Sequence, residues 1–301
     1  MTENPTLTDI LKRPLIFIEG KGGVGKTTLA LAIATALSEQ GSRTLLVSIE
    51  DPLREPGEIK RLNPNLWHLN CEASHAFEEY AALKIGVPAL TRIFMKNKLM
   101  RYLSKAAPGI HELVMLGKIW HDRLDYDHVI VDMPSTGYGI TMFQSTINFT
   151  RLFKGGPIHR DSEAMLKTFN NPKEVGQLIV ALAEEMPLQE SIELKDYLLK
   201  MFPANMPGFV VNRCFPQAKK SSSSKTPDHN PDHWKSPVAD SGLDYILKRT
   251  ILESFNLKIW DDVGISYERM NYLPPVDGRF DAVALTLSKE IAKHIHSEGV
   301  A

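Results

Sequence analysis

Residues 20–27, Gly-Lys-Gly-Gly-Val-Gly-Lys-Thr, constrain this chain more than any other stretch. The apolar run Leu15–Ile18, bounded by Pro14 and Gly20, reads as a buried strand. After the glycines, Leu29, Ile33, Ala36 and Leu37 recur on one helical face that closes near Gly41. The octapeptide fits GxxxxGK[ST] in the strand-to-helix context that the motif requires. Glycines let consecutive backbone N–H groups curl around phosphate oxygens, and the helix beginning near Lys26 adds its positive dipole end. The expected ligand is ATP with Mg2+. Gly20, Gly22, Gly23, Val24 and Gly25 form the cradle, and Lys26 reaches the β- and γ-phosphates. Thr27 offers a hydroxyl to magnesium, and Thr28 helps to hold the α-phosphate.

Further short apolar runs at Leu45–Ile49, Val129–Val131, Leu178–Leu182, Phe209–Val211 and Leu257–Ile259 read as strands. Alternating with helices, they predict an α/β fold of three layers around a parallel-rich central sheet. We read 1–301 as a single domain, with added helical elements at about 72–123 and 139–170. The Lys-, Ser-, Pro- and His-rich stretch at about 217–240 reads as a mobile loop, and its His229 and His233 as solvated rather than metal-bound. Phe280–His296 has apolar residues at helical spacing and reads as a helix on the core.

A formal net charge of −1 gives no global pull toward nucleic acid or anionic lipid. No apolar stretch approaches the roughly 18 residues of a membrane span, so membrane contact is expected only through a partner. The opening residues lack the apolar middle of a signal peptide. Cys71 and Cys214 are the two cysteines, without any CxxC, which fits a reducing cytoplasm and excludes a four-thiolate zinc site or a paired-cysteine iron–sulfur carrier.

The string KGGVGKTT resembles the deviant phosphate loop of the MinD, ParA, nitrogenase iron protein and ArsA superfamily of P-loop NTPases. By that resemblance Lys21 reaches the phosphates of a partner subunit in a nucleotide-sandwich dimer. Val129–Asp132 is a strand ending in a carboxylate, which suits Asp132 to a magnesium-bound water. The following Met133-Pro134-Ser135-Thr136-Gly137-Tyr138 resembles the ArsA switch II, with tyrosine in place of histidine. Ala183-Glu184-Glu185-Met186-Pro187, then Glu190, is similar to the family's P-E-E-M segment. Asn212 and Arg213 match the strand end that reads adenine, and Leu273-Pro274-Pro275 the loop that closes over the base. The resemblance is nearest to the bacterial single-domain ArsA-like branch. It implies ATP hydrolysis, a homodimer or paralogue heterodimer, and a client protein whose identity the sequence does not carry.

Departures from the pattern matter too. The family's S-T-D-P switch I is replaced by Ser48-Ile49-Glu50-Asp51-Pro52. Gapless alignment and the longer side chain favour Glu50 as the water-orienting carboxylate; the Asp-Pro pair favours Asp51. The same departure admits a degenerate paralogue that binds nucleotide and regulates an active partner. A MinD-like positioning role lacks its membrane-seeking terminal helix, and a ParA-like role its basic surface. Arsenite binding is not carried over, because a soft ion needs clustered thiolates. The Met- and Phe-rich helices, with Met95, Phe143, Phe149 and Phe153, read either as an apolar client surface or as core.

Overall fold

The computed structural model describes residues 4–85, 109–215, 242–274 and 280–296. The chain order is α1 (Leu7–Leu11), β1 (Leu15–Glu19), α2 (Lys26–Glu39), β2 (Thr44–Ile49), β3 (Ile59–Asn63), β4 (Leu66–Cys71), α3 (Ala73–Ile85), α4 (Ile110–Asp122) and β5 (His128–Asp132). It continues with α5 (Thr136–Leu152), α6 (Gly156–Phe169), β6 (Val175–Leu182), α7 (Glu185–Met201), β7 (Gly208–Cys214), α8 (Gly242–Asp262), β8 (Glu268–Asn271) and α9 (Phe280–His296).

Eight strands form one sheet in the order β3-β4-β2-β5-β1-β6-β7-β8. All pairings are parallel except β3 with β4. β1, fully buried and wholly apolar until Glu19, sits between β5 and β6 because neither of its faces tolerates water. Alternate residues feed two cores. Leu15 and Phe17 join Met115, Phe143, Phe169 and Phe202 on one side; Ile16 and Ile18 join Leu29, Ile33 and Ile291 on the other. The sheet is therefore covered on both faces, as an α/β domain requires.

The predicted α/β class holds, and the five central strands lie where the apolar runs put them. Leu257–Ile259 is not a strand. It belongs to α8, where Leu257 packs inward while Phe255 stands exposed. The stretch 139–170 is two helices broken at Phe153–Gly155. Of 72–123, α3 and α4 are helical and 86–108 lies outside the described residues, as do the 217–240 stretch and Met95.

The client-surface reading of Phe143 and Phe149 is corrected. Both are buried, at 0% and 2% exposure. Phe143 meets Phe17, Phe169 and Phe202 edge-on at centroid distances of 5.1, 5.9 and 5.3 Å. Phe153 is partly buried and stacks on Phe149. These rings fill the core between α5 and the sheet. Among the described residues, no helix is long and apolar enough to cross a membrane.

Candidate nucleotide site

The carboxyl ends of β5, β6 and β7 meet the glycine loop that follows β1 and the helix it opens. Backbone geometry explains two of the glycines. Gly20 has φ +142°, and a Cβ there would meet the Val180 carbonyl oxygen of β6 at 2.2 Å. Gly25 has φ +95°, and a Cβ there would meet Asn212 Nδ2 at 2.4 Å. Gly25 precedes α2 without any side-chain cap, so the first-turn N–H groups of that helix are left to a ligand or water. Gly22 and Gly23 are exposed at the loop tip, while Val24 turns into the α2-side core.

Lys26 is the first residue of α2 and only 8% exposed. Its ammonium donates to the Lys21 carbonyl at 3.1 Å, bending across the loop. Burial lowers its pKa, against the opposing pull of Asp132 and Glu19. The Thr27 hydroxyl donates to Asp132 Oδ2 at 2.6 Å. Asp132 Oδ1 is buried with no hydrogen-bond partner. Burial pushes the Asp132 carboxyl up, while Thr27 and Lys26 pull it down. A buried carboxylate oxygen without a donor is costly. Together with the adjacent hydroxyl it is a donor set of the hard, oxygen kind that Mg2+ takes. Thr28 is half-buried on the next position of α2.

Lys21 lies at the loop surface and pairs with Glu190 of α7 at 2.6 Å. Asn212 is buried at the end of β7. Its amide donates to the Val24 carbonyl at 2.9 Å, and its carbonyl accepts from Arg213 N–H at 2.9 Å. Asn212 thus braces the loop, keeping one N–H and one lone pair for another partner. Arg213 has φ +56° and is exposed. Pro274 is exposed just beyond β8.

The two switch I candidates separate. Glu50 is exposed with φ +48°, a left-handed residue at the end of β2, and its N–H donates to the Cys71 carbonyl. Such backbone is uncommon in a non-glycine residue, and it turns the chain sharply where β2 ends. Asp51 follows it. Its Oδ1 accepts from Leu53 N–H at 2.9 Å and its Oδ2 from Arg54 at 3.1 Å. Ser48 is in register with Asp132, and the Asp51 charge is among those that raise the Asp132 pKa. The Tyr138 hydroxyl, in the first turn of α5, turns to Glu50. Burial, then Glu50 and Glu112, push that phenol up to about 12.

One residue of the site has no counterpart in the sequence reading. Glu19 closes β1 at 3% exposure directly before Gly20. Its signal is a carboxylate ending an otherwise apolar strand.

The model of the anion-transporting ATPase family matches residues 13–156, which span the phosphate loop, the switch I region and Asp132 with its following turn. The chain is similar to the ArsA-like P-loop ATPases. Among its ArsA-like relatives, the ATPase BagA of Mycobacterium tuberculosis is 30% identical over 226 residues, covering 67% of this chain and 65% of BagA. The arsenical pump-driving ATPase of Acidiphilium multivorum is 25% identical over 238 residues, 68% of this chain and 40% of that protein. The ATPase ASNA1 homolog 1 of Paramecium tetraurelia is 28% identical over 173 residues, 50% of this chain and 49% of that one. This ArsA-like chain spans less than two thirds of the length of each of these three.

Proposed function

We propose that this chain binds ATP with Mg2+ at the 20–28 loop and hydrolyses it, as a dimeric switch that couples nucleotide state to the handling of a client protein. The observation that carries the reading is the Thr27–Asp132 contact beside the buried Lys26 ammonium. It joins a hydroxyl, an underpartnered carboxylate and a cation at the mouth of an uncapped helix. Gly22 and Gly23, with nothing within 4 Å of where a Cβ would stand, leave the loop tip open to a polyphosphate drawn close to the backbone.

In this reading, magnesium at the site would supply positive charge against the phosphates. Thr27 and Asp132 would hold the ion, one through its hydroxyl and the other through its underpartnered carboxylate. Lys26 turns from the Lys21 carbonyl to the phosphates. Asp51 orients the attacking water, because it bears electrostatically on Asp132 while Glu50 turns to Tyr138. Asn212 offers its remaining N–H and lone pair to the base, flanked by Arg213 and Pro274. Lys21 crosses to a partner subunit, either a second copy or a paralogue.

A thiophilic anion is not the proposed cargo. Cys71 ends β4 and Cys214 ends β7, five strand positions apart, or roughly 24 Å at the usual strand spacing. A protein client is the reading the family resemblance leaves. Single-turnover hydrolysis of ATP with Mg2+ tests the enzymatic part. A rate no greater than the solution background contradicts it and favours the nucleotide-binding paralogue.

A further inference from the structure

β1 ends in a group that the proposed reaction does not use. Glu19 is 3% exposed, and its Oε1 is buried with no hydrogen-bond partner. An orphaned buried carboxyl oxygen is rare because it forfeits its hydration. Its place is specific. Glu19 lies in register with Ile179 of β6, one residue beyond the pairing of Ile18 with Asp132. Gly20, the first residue of the cradle, follows immediately.

Alternation puts Glu19 on the same sheet face as Leu15 and Phe17, whose cluster includes Met133, Ala183 and Leu188. The charged group that bears most on it is Lys26 of α2, and Asp132 of β5 bears on the same Lys26. One buried ammonium therefore serves two carboxylates. When a polyphosphate enters, Lys26 turns to it. An ionised Glu19 would then face added negative charge through a water-poor floor with no cation of its own.

We propose that Glu19 is the floor of the phosphate site and takes the neutral acid form when polyphosphate is bound, so that nucleotide loads together with a proton. The proposal rests on the nucleotide-site reading above. The proton comes from solvent, adds to a Glu19 carboxylate oxygen and leaves with the nucleotide; no covalent bond to phosphorus is involved. Burial, opposed by Lys26, raises the Glu19 carboxyl from 4.5 to about 8 even without ligand. The group is thus poised to titrate where ATP phosphates no longer do, their last pKa lying near 6 in phosphoesters.

The test is calorimetry at pH 8.5 in two buffers of different ionisation enthalpy, with the magnesium complex of a non-hydrolysable ATP analogue. The wild type should take up at least about half a proton per site, and its affinity should fall about fivefold between pH 8 and 9. Glu19→Gln keeps shape and neutrality; it should bind with no uptake and a flat profile. Uptake that persists in Glu19→Gln belongs to Lys26 and overturns the proposal. A second arm needs no nucleotide. A carboxyl raised on folding stabilises fully below its unfolded pKa near 4.5, and that stability is lost as pH rises through about 8. The stability gap between Glu19→Gln and the wild type should therefore widen in the variant's favour from about pH 5 to 8. A constant gap overturns the proposal. Analogue binding without Glu19-dependent uptake overturns this inference alone; absence of binding overturns the nucleotide site as well.

Discussion

The Lys21 ammonium and the Glu190 carboxylate, 169 residues apart in the chain, meet at 2.6 Å where α7 passes the loop tip. Both are partly exposed, at 45% and 33%, so the pair is worth about 0–1 kcal/mol. A lysine proposed to reach a partner subunit is thus parked on its own chain by a weak tie. Glu190→Gln should release it and leave the fold stable. In sedimentation with a non-hydrolysable ATP analogue, Glu190→Gln should dimerise at least as readily as the wild type, and Lys21→Ala should remain monomeric while binding the analogue. A wild type that stays monomeric at saturation ends the dimer reading.

The magnesium site makes a separate demand. Thr27→Ala removes the hydroxyl and Asp132→Asn the charge of the contact between α2 and β5. Each should raise the magnesium concentration needed for half-maximal nucleotide binding by about tenfold or more, the usual cost of a lost ligand or its support. Metal titrations that overlay the wild type would move the site elsewhere.

Asp51 and Glu50 part company under single-turnover conditions. Asp51→Asn should slow hydrolysis by about two orders of magnitude or more and leave ATP affinity nearly intact, because it removes only transition-state positioning. Glu50→Gln should cost less. The reverse order would make Glu50 the water-orienting group, and no effect from either would take that role out of switch I.

Much of the architecture is legible in the sequence because the central strands are buried on both faces and read as unbroken apolar runs. The outer strands are not. β3 is Ile-Lys-Arg-Leu-Asn, exposed along most of its length, and it forms only because β4 lies beside it. β8, at the opposite edge, is polar as well. Leu257-Lys258-Ile259 mimics a strand because a three-residue apolar window cannot distinguish periods of 2 and 3.6. The loop residues are legible because their chemistry is local. Glu19 is not, since its burial depends on which strands flank β1. Nor is the work of Asn212 in bracing Val24, which depends on β7 ending beside a loop 188 residues away.

The aromatic core gives a stability prediction. Phe143→Ala opens a cavity among Phe17, Phe169 and Phe202 and should cost about 3–5 kcal/mol of unfolding free energy. Leu152→Ser, at an exposed position of the same helix, should change stability by about 0.5 kcal/mol or less. Denaturant melts of the two variants check the contrast. Equal effects would mean that Phe143 is not a core residue.

Every role proposed above depends on the loop at 20–28 being a polyphosphate site whose fixed cation is Lys26. Equilibrium titration of wild type and Lys26→Ala with ATP and Mg2+, each verified as folded by its thermal transition, tests it most directly. The wild type should bind saturably one-to-one, and Lys26→Ala should lose that binding because the phosphates have no buried ammonium to meet. Equal affinity in the two proteins would mean that Lys26 is not the cation of a phosphate site.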